Sequence, residues 1–243
     1  LALVCAVVAA LMTVEQFTGQ NPMSIFGLPA EAQIRNGRIR SSASFSTPIT
    51  AGTCGAVLLP FFIGLIWAAR GAKRYAALGA VAATVMAVTS ASSTPVLAYL
   101  AAIGALFMWM LRHYLRQIRW AAVGLFIALQ LVMKAPVWAL INRVDITGSS
   151  TSWHRFLLVD TFIRKFGEWW LVGTRDNAKW GVDMWDAVNW YVSAGVTGGL
   201  LGLILFVTIL VLAFRRIGAG LRRFAEDPAR RRMVWAGGAS LFA

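Results

Sequence analysis

Acidic residues are scarce in this sequence: ten stand against 23 lysines and arginines, and charged residues make up only 14% of the 243. Soluble domains average about 25% charged and about 45–50% apolar. Here 58% of the chain is hydrophobic and the mean hydropathy is +0.66. One soluble core could not hide so much apolar surface and leave a wettable exterior. Disorder is excluded by the same numbers, since disordered chains are poor in apolar and aromatic residues and this one has 11 Trp and 14 Phe. Cysteine and histidine are equally sparse, two of each. Cys5 and Cys54 fall inside apolar runs and read as small apolar fillers rather than a disulfide or metal pair. His113 and His154 fall in different polar segments, which leaves no cluster of metal-ligand type. CxxC pairs, HExxH and Gly-rich phosphate loops are absent as well, so no metal and no other cofactor is expected. Neither a solenoid-type repeat nor a low-complexity linker interrupts the chain, and residues 1–243 read as one membrane domain.

What is present is a series of apolar runs: Leu1–Val14, Thr50–Ala69, Tyr75–Ser90, Val96–Leu111, Trp120–Leu140, Val192–Phe214 and the beginning of another at Met233–Ala243. A helix crossing the hydrocarbon core needs roughly 20 residues, which Thr50–Ala69, Trp120–Leu140 and Val192–Phe214 supply. Tyr75–Ser90 and Val96–Leu111 are shorter. They flank Ala91-Ser92-Ser93-Thr94-Pro95, which reads as a tight turn between two helices. The runs at both ends and the absence of an initiator Met point to a C-terminal fragment of a larger polytopic protein, and Leu1–Val14 lacks the basic start of a signal peptide.

Orientation follows from the lysines and arginines of the loops. Residues 70–74, 112–119 and 215–232 hold 13 of the 23 basic residues against Glu226 and Asp227, a net of +11. With six spans these loops share one side, which is then cytoplasmic. The opposite side holds ten basic and eight acidic residues, a net of +2. Most of the charge is thus a topology signal. No basic stripe interleaves with exposed aromatics, and no nucleic-acid partner is expected.

Function then belongs to the two long outer segments, Glu15–Ile49 and Ile141–Tyr191, since loops of this length are usually functional or disordered. Arg35, Arg38 and Arg40 fall within six residues, followed by the hydroxyl-rich Ser41-Ser42-Ala43-Ser44-Phe45-Ser46-Thr47-Pro48. Planar guanidinium forks at a membrane interface suit an anionic group such as a phosphate; contact with lipid headgroups would use the same residues. In the second segment, Phe156, Val159, Phe162, Ile163, Phe166, Trp169 and Trp170 form the apolar stripe of an amphipathic helix, with Asp160, Arg164, Lys165 and Glu168 opposite. A pair of tryptophans closing such a helix fits an interfacial position. Arg155 stands at its start beside the small-residue turn Gly148–Ser152. Further on, Asp183 and Asp186 sit three apart beside Trp185, Asn189 and Tyr191. Aromatic faces with carboxylates are what a sugar site offers, although an interfacial aromatic belt has the same composition.

In this order the features resemble the O-antigen ligase and O-antigen polymerase superfamily of bacterial inner-membrane proteins. The resemblance covers most of Glu15–Phe214 and rests on arrangement. It consists of Arg40 before a polar stretch, Phe45 and Pro48; a helix pair turning at Ser90-Ala91-Ser92-Ser93-Thr94; and a large loop with the early Arg155. That loop ends in Asp186-Ala187-Val188-Asn189 and leads to the small residues Gly195–Gly199. The resemblance implies an all-α, polytopic transmembrane helical bundle of GT-C type, with a periplasmic loop over 141–191 carrying the interfacial helix. It also implies a metal-independent glycosyltransferase on the periplasmic face. Such an enzyme passes a glycan from undecaprenyl pyrophosphate to an acceptor hydroxyl on a glycan or glycolipid, in O-antigen or exopolysaccharide polymerisation or ligation. Arg40, Arg155 and Arg38 would hold the pyrophosphate, and Asn189, Trp185 and Tyr191 would contact glycan. Many members carry His before the Asn where this chain has Val188, which leaves His154, Asp183 and Asp186 as the local bases; the Arg that members often have after the Ser-rich turn is replaced by Thr94. Two other classes compete. A transporter or flippase of a lipid-linked or anionic substrate would need charge within the spans, where Lys134 beside Pro136 is almost alone and near enough to the outer end to snorkel. A non-catalytic component of a polysaccharide assembly complex would need none.

Overall fold

The computed structural model describes residues 1–35, 37–68, 71–143, 151–174, 176–181, 184 and 189–243; of 141–143, 151 and 152 it describes the backbone alone. These residues form two compact units, Leu1–His113 with Arg216–Ala243, and Tyr114–Arg215.

In the first unit, α1 (Ala2–Thr18) ends on Gly19 in the left-handed region at φ 73°, the usual way for a helix to stop. A 3₁₀ turn (Pro22–Phe26) leads to a two-stranded antiparallel hairpin, β1 (Gln33–Arg35) and β2 (Arg38–Arg40). Then come α2 (Pro48–Ala68), α3 (Lys73–Thr89) and α4 (Ser93–Phe107). The turn expected at 91–95 lies at Ser90–Ser92, and Pro95 is taken up in the first turn of α4, where its missing N–H costs no helical bond. α2 is the centre of the unit. Its buried residues include Pro48, Ala51, Gly52, Gly55, Ala56 and Leu59, small residues at helical spacing that let backbones approach closely, as helix pairs in lipid do. Cys5, Ala9 and Met12 from α1 and Ala82, Ala83 and Met86 from α3 close around Leu59 and Phe62. Both cysteines are free, as the apolar-filler reading expects.

In the second unit, α5 (Leu115–Val132) stops earlier than the run Trp120–Leu140 implies. Met133 turns extended and a 3₁₀ turn (Val137–Arg143) follows. Pro136 explains this, because proline disfavours helical backbone in the residue before it and lacks the N–H a helix needs. Lys134 therefore lies exposed just beyond the helix rather than within a span. The expected amphipathic helix also divides, into α6 (Thr151–Arg164) and α7 (Phe166–Trp169). The chain bends at Lys165 so that the Trp169 ring stacks on Phe162 with centroids 4.0 Å apart, and its indole N–H donates to the Phe162 carbonyl at 2.8 Å. Only part of the apolar stripe is then core: Leu158, Phe162 and Trp169 join Trp180, Met184, Val192 and Val196, while Ile163, Phe166 and Trp170 stay exposed. Asp160, expected on the solvent face, is buried, accepts the Trp138 indole N–H at 3.2 Å and pairs with Arg164 at 2.8 Å.

α8 (Trp190–Arg223) is broken at Gly199, whose φ of 65° and ψ of −163° belong to no helix. Only glycine takes that backbone readily, and a Cβ there would lie 2.7 Å from the Leu171 carbonyl oxygen. The segment after α7 docks at this break, with Leu200 N–H donating to Trp170 O and Thr174 N–H to Val196 O. Finally α9 (Pro228–Phe242) starts at Asp227, whose carboxylate caps the Ala229 and Arg230 N–H groups at 3.1 Å each.

Among the described residues three helical segments are long and apolar enough to cross a membrane: Pro48–Ala68, Arg112–Val132 and Trp190–Arg223. α1 and α4 are apolar but shorter, at 17 and 15 residues. No residue of α5 is buried, and Leu201, Ile204, Leu205 and Ile209 of α8 are also exposed. Apolar helices this bare find their complement in lipid or in other helices.

Candidate functional site

The hairpin sets the site's geometry. Arg35 pairs directly with Arg38 across the strands, and Arg40 lies two residues beyond Arg38. Directly opposed residues and residues two apart share one face of a ribbon, so the three arginines of the sequence cluster are on one side. Arg35 and Arg38 are exposed, whereas Arg40 is only 8% exposed.

A set of hydrogen bonds from the C-terminal end of α1 fixes the chain on either side of Arg40. The Glu15 carboxylate, 1% exposed, accepts the N–H groups of Ser42 at 3.0 Å and Ala43 at 2.7 Å through one oxygen. Gln16 donates to the Ile39 carbonyl at 3.2 Å and accepts from the Ser41 hydroxyl at 3.1 Å. Asn21 donates to the Ala43 carbonyl at 3.0 Å. Ala43 sits at φ 45°, a conformation L-residues with a Cβ seldom adopt, and the bonds to Glu15 and Asn21 hold it there. Two successive N–H groups converging on one anionic oxygen form the arrangement that backbone nests offer to anions.

The same stretch docks on the α3–α4 turn. Ser41 N–H donates to the Thr89 carbonyl at 3.1 Å, and one Arg40 Nη donates to the Ser92 hydroxyl. Gly52 of α2 makes this fit possible: a Cβ there would meet the Ser90 Oγ and lie 2.6 Å from Ser90 Cβ and 2.7 Å from Pro95 Cβ. Among the described residues no carboxylate is within ion-pair distance of Arg40, and its buried Nε has no hydrogen-bond partner. Burial first, and neighbouring Arg35 second, lower its pKa from the ordinary arginine value, yet a guanidinium stays charged throughout the physiological range. A buried cation is normally paired with an acid or a metal-bound anion. Among the described residues Arg40 has a serine hydroxyl instead.

In the second unit, His154 and Arg155 are half-buried on α6, and both are engaged by neighbours. Burial lowers the Arg155 pKa. Asn189 caps α8, its side-chain oxygen accepting the N–H groups of Tyr191 at 2.9 Å and Val192 at 3.4 Å. Asn at this position satisfies N–H groups that a helix start leaves open, which gives Asn189 a structural task beside any contact with glycan. Tyr191 is exposed and packs edge-on against Phe206 at 5.3 Å. Asp183, Trp185 and Asp186 lie outside the described residues. Among the described residues no group of His, Cys, Asp and Glu could hold a metal ion.

Sequence reasoning missed Glu15, Gln16 and Ser92 as parts of the site. The Asn36-Gly37 pair, a strong two-residue hairpin signal, could have revealed the hairpin; nothing local pointed to Ser92, which is 52 residues from Arg40. No protein-family model, no curated protein and no solved structure matches the chain.

Proposed function

We propose that the protein transfers a glycan from undecaprenyl pyrophosphate to an acceptor hydroxyl on another glycan or glycolipid, on the periplasmic face of a bacterial inner membrane. The observation that carries this reading is Arg40: a buried guanidinium on Ser92, with no carboxylate at ion-pair distance among the described residues, on the arginine-bearing face of the hairpin. In glycan transfer the bond between the anomeric carbon and the pyrophosphate oxygen breaks, and its electron pair leaves on the pyrophosphate. The acceptor oxygen bonds to that carbon and gives its proton to a base. Negative charge grows on the leaving group, and fixed cations aimed at it lower the barrier without metal. Arg40, with Arg38, takes that role in the first unit; the resemblance gives Arg155 the same role. His154, Asp183 and Asp186 remain the bases within the loop 141–191, where a base must reach the acceptor hydroxyl. Trp185, Asn189 and Tyr191 take the sugar-contacting role that the resemblance gives them. The helical bundle is then of GT-C type, and the hairpin end of the first unit opens to the periplasm, in keeping with the positive-inside distribution of the loops.

The test is incubation of purified protein with undecaprenyl-pyrophosphate oligosaccharide and acceptor, without nucleotide sugar or added metal. A new glycosidic linkage with release of undecaprenyl pyrophosphate is expected. Binding without linkage would make the protein a component of an assembly complex, and passage of the lipid-linked glycan across liposomes would make it a transporter.

A further inference from the structure

At the other end of the first unit a second cationic cluster has no counterpart among the residues discussed so far. The chain leaves α4 through a series of turns, and Arg112 folds back over the Trp109 ring, 4.7 Å from its centroid, with one Nη donating to the Trp109 carbonyl at 3.0 Å. Arg231, in the first turn of α9, lies over the same ring at 5.7 Å. Trp235 packs edge-on against Trp109 at 5.6 Å and donates its indole N–H to the Ala105 carbonyl at 2.8 Å. Two guanidiniums thus share one indole. The Nε of each is buried without a hydrogen-bond partner, and among the described residues neither has a carboxylate within ion-pair distance.

A neighbouring cluster makes the contrast. Arg223 and Arg230 also share a ring, Phe224, at 5.8 and 5.7 Å. There Asp227 supplies the counter-charge, 3.2 Å from Arg230. Asp227 also caps α9, which commits it to that side, and Glu226, the other acid of the segment, is exposed. For the Trp109 cluster no such anion is found among the described residues. Cation–π contact offsets part of the cost of holding two like charges together, but a bound anion would remove the repulsion outright.

We propose that Arg112, Arg231 and Trp109 form a binding site for the phosphate group of an anionic phospholipid. The choice of a lipid over free phosphate rests on position. α4 is 15 residues long, about 22 Å at helical rise, which sets this cluster about three quarters of a hydrocarbon core of about 30 Å away from Ser92. Half-buried tryptophans at that depth belong to an interfacial belt, and basic pockets between helices on the cytoplasmic side are suited to anionic headgroups. The site is independent of glycan transfer and stands if that reading fails.

The test is thermal unfolding of the full chain in neutral detergent, titrated in parallel with phosphatidylglycerol, phosphatidylcholine and inorganic phosphate. Phosphatidylglycerol alone is expected to raise the melting temperature. Arg112→Gln and Arg231→Gln are each expected to weaken its apparent affinity about tenfold, the effect of losing one charge-assisted hydrogen bond. Without lipid both variants should melt close to the wild-type temperature, since relief of like-charge repulsion offsets the lost ring contact; this separates a lost ligand contact from a damaged fold. Arg223→Gln, at the cluster Asp227 satisfies, should leave the lipid response unchanged. An equal shift with phosphatidylcholine or with inorganic phosphate would overturn the proposal, and so would an unaltered phosphatidylglycerol response in both Trp109-cluster variants.

Discussion

Replacing Glu15 by Ala removes the one acceptor that Ser42 N–H and Ala43 N–H share, in a place where the carboxylate is 1% exposed. A buried donor left unsatisfied costs about 1–3 kcal/mol. The Ala43 N–H is fully buried and the Ser42 N–H partly so, which puts the sum at about 2–4 kcal/mol, with the lower end reached if water enters the space. Glu15→Gln keeps an acceptor of the same shape but loses its charge. Charge-assisted hydrogen bonds are about twice as strong as neutral ones, so this change should cost about 1 kcal/mol. For a chain of 243 residues, a kilocalorie moves the melting temperature by about 2–4 °C. Thermal unfolding in detergent should then show losses of about 4–16 °C for Glu15→Ala and about 2–4 °C for Glu15→Gln. Amide exchange at Ser42 and Ala43 should quicken in the same order. A Glu15→Ala protein that melts within about 1 °C of wild type would refute the reasoning. Equal losses in the two variants would show that the carboxylate charge carries the whole effect, since Gln keeps the volume and an acceptor oxygen.

Gly52→Ala drives a methyl into Ser90 and Pro95; overpacking of this kind costs about 1–3 kcal/mol, and melting temperature together with pyrophosphate-lipid binding should both fall, because the turn carrying Ser92 must move. In the second unit the hydrogen bond from Lys165, and after it the one from the Trp180 indole, lower the Glu168 pKa. A carboxyl whose folded pKa lies below its unfolded value stabilises above that unfolded value and loses the contribution as pH falls through the folded one. Wild type should therefore out-melt Glu168→Gln at neutral pH, with the gap closing below the usual glutamate range; a gap independent of pH would count against the ion pair.

Periodicity and loop charge made the apolar helices, the Ser90–Ser92 turn and the fillers Cys5 and Cys54 legible, because each depends on neighbours within one or two turns. Where α5 stops was also written locally, in Pro136, although the apolar run continues past it. Arg40 was legible as one of three clustered arginines, but its burial was not. That state arises from α1 carboxylate and amide groups, a hairpin and a serine from a turn far along the chain, brought together by packing that no single window contains. Trp169 shows the same limit, since its place in the apolar stripe said nothing of the bend at Lys165 that lays it on Phe162. Glu15 at the end of an apolar run looked like a boundary marker, and the structure makes it the clamp of the site.

The most direct test of the central claim is the affinity of the protein for undecaprenyl pyrophosphate, measured in detergent for wild type, Arg40→Ala and Arg38→Ala. Truncating Arg40 removes a desolvated charge-assisted contact worth about 1.5–3 kcal/mol, so binding should weaken by about 10- to 150-fold, with melting temperature kept; truncating exposed Arg38 should cost far less. Equal affinity in wild type and a folded Arg40→Ala protein would contradict the account.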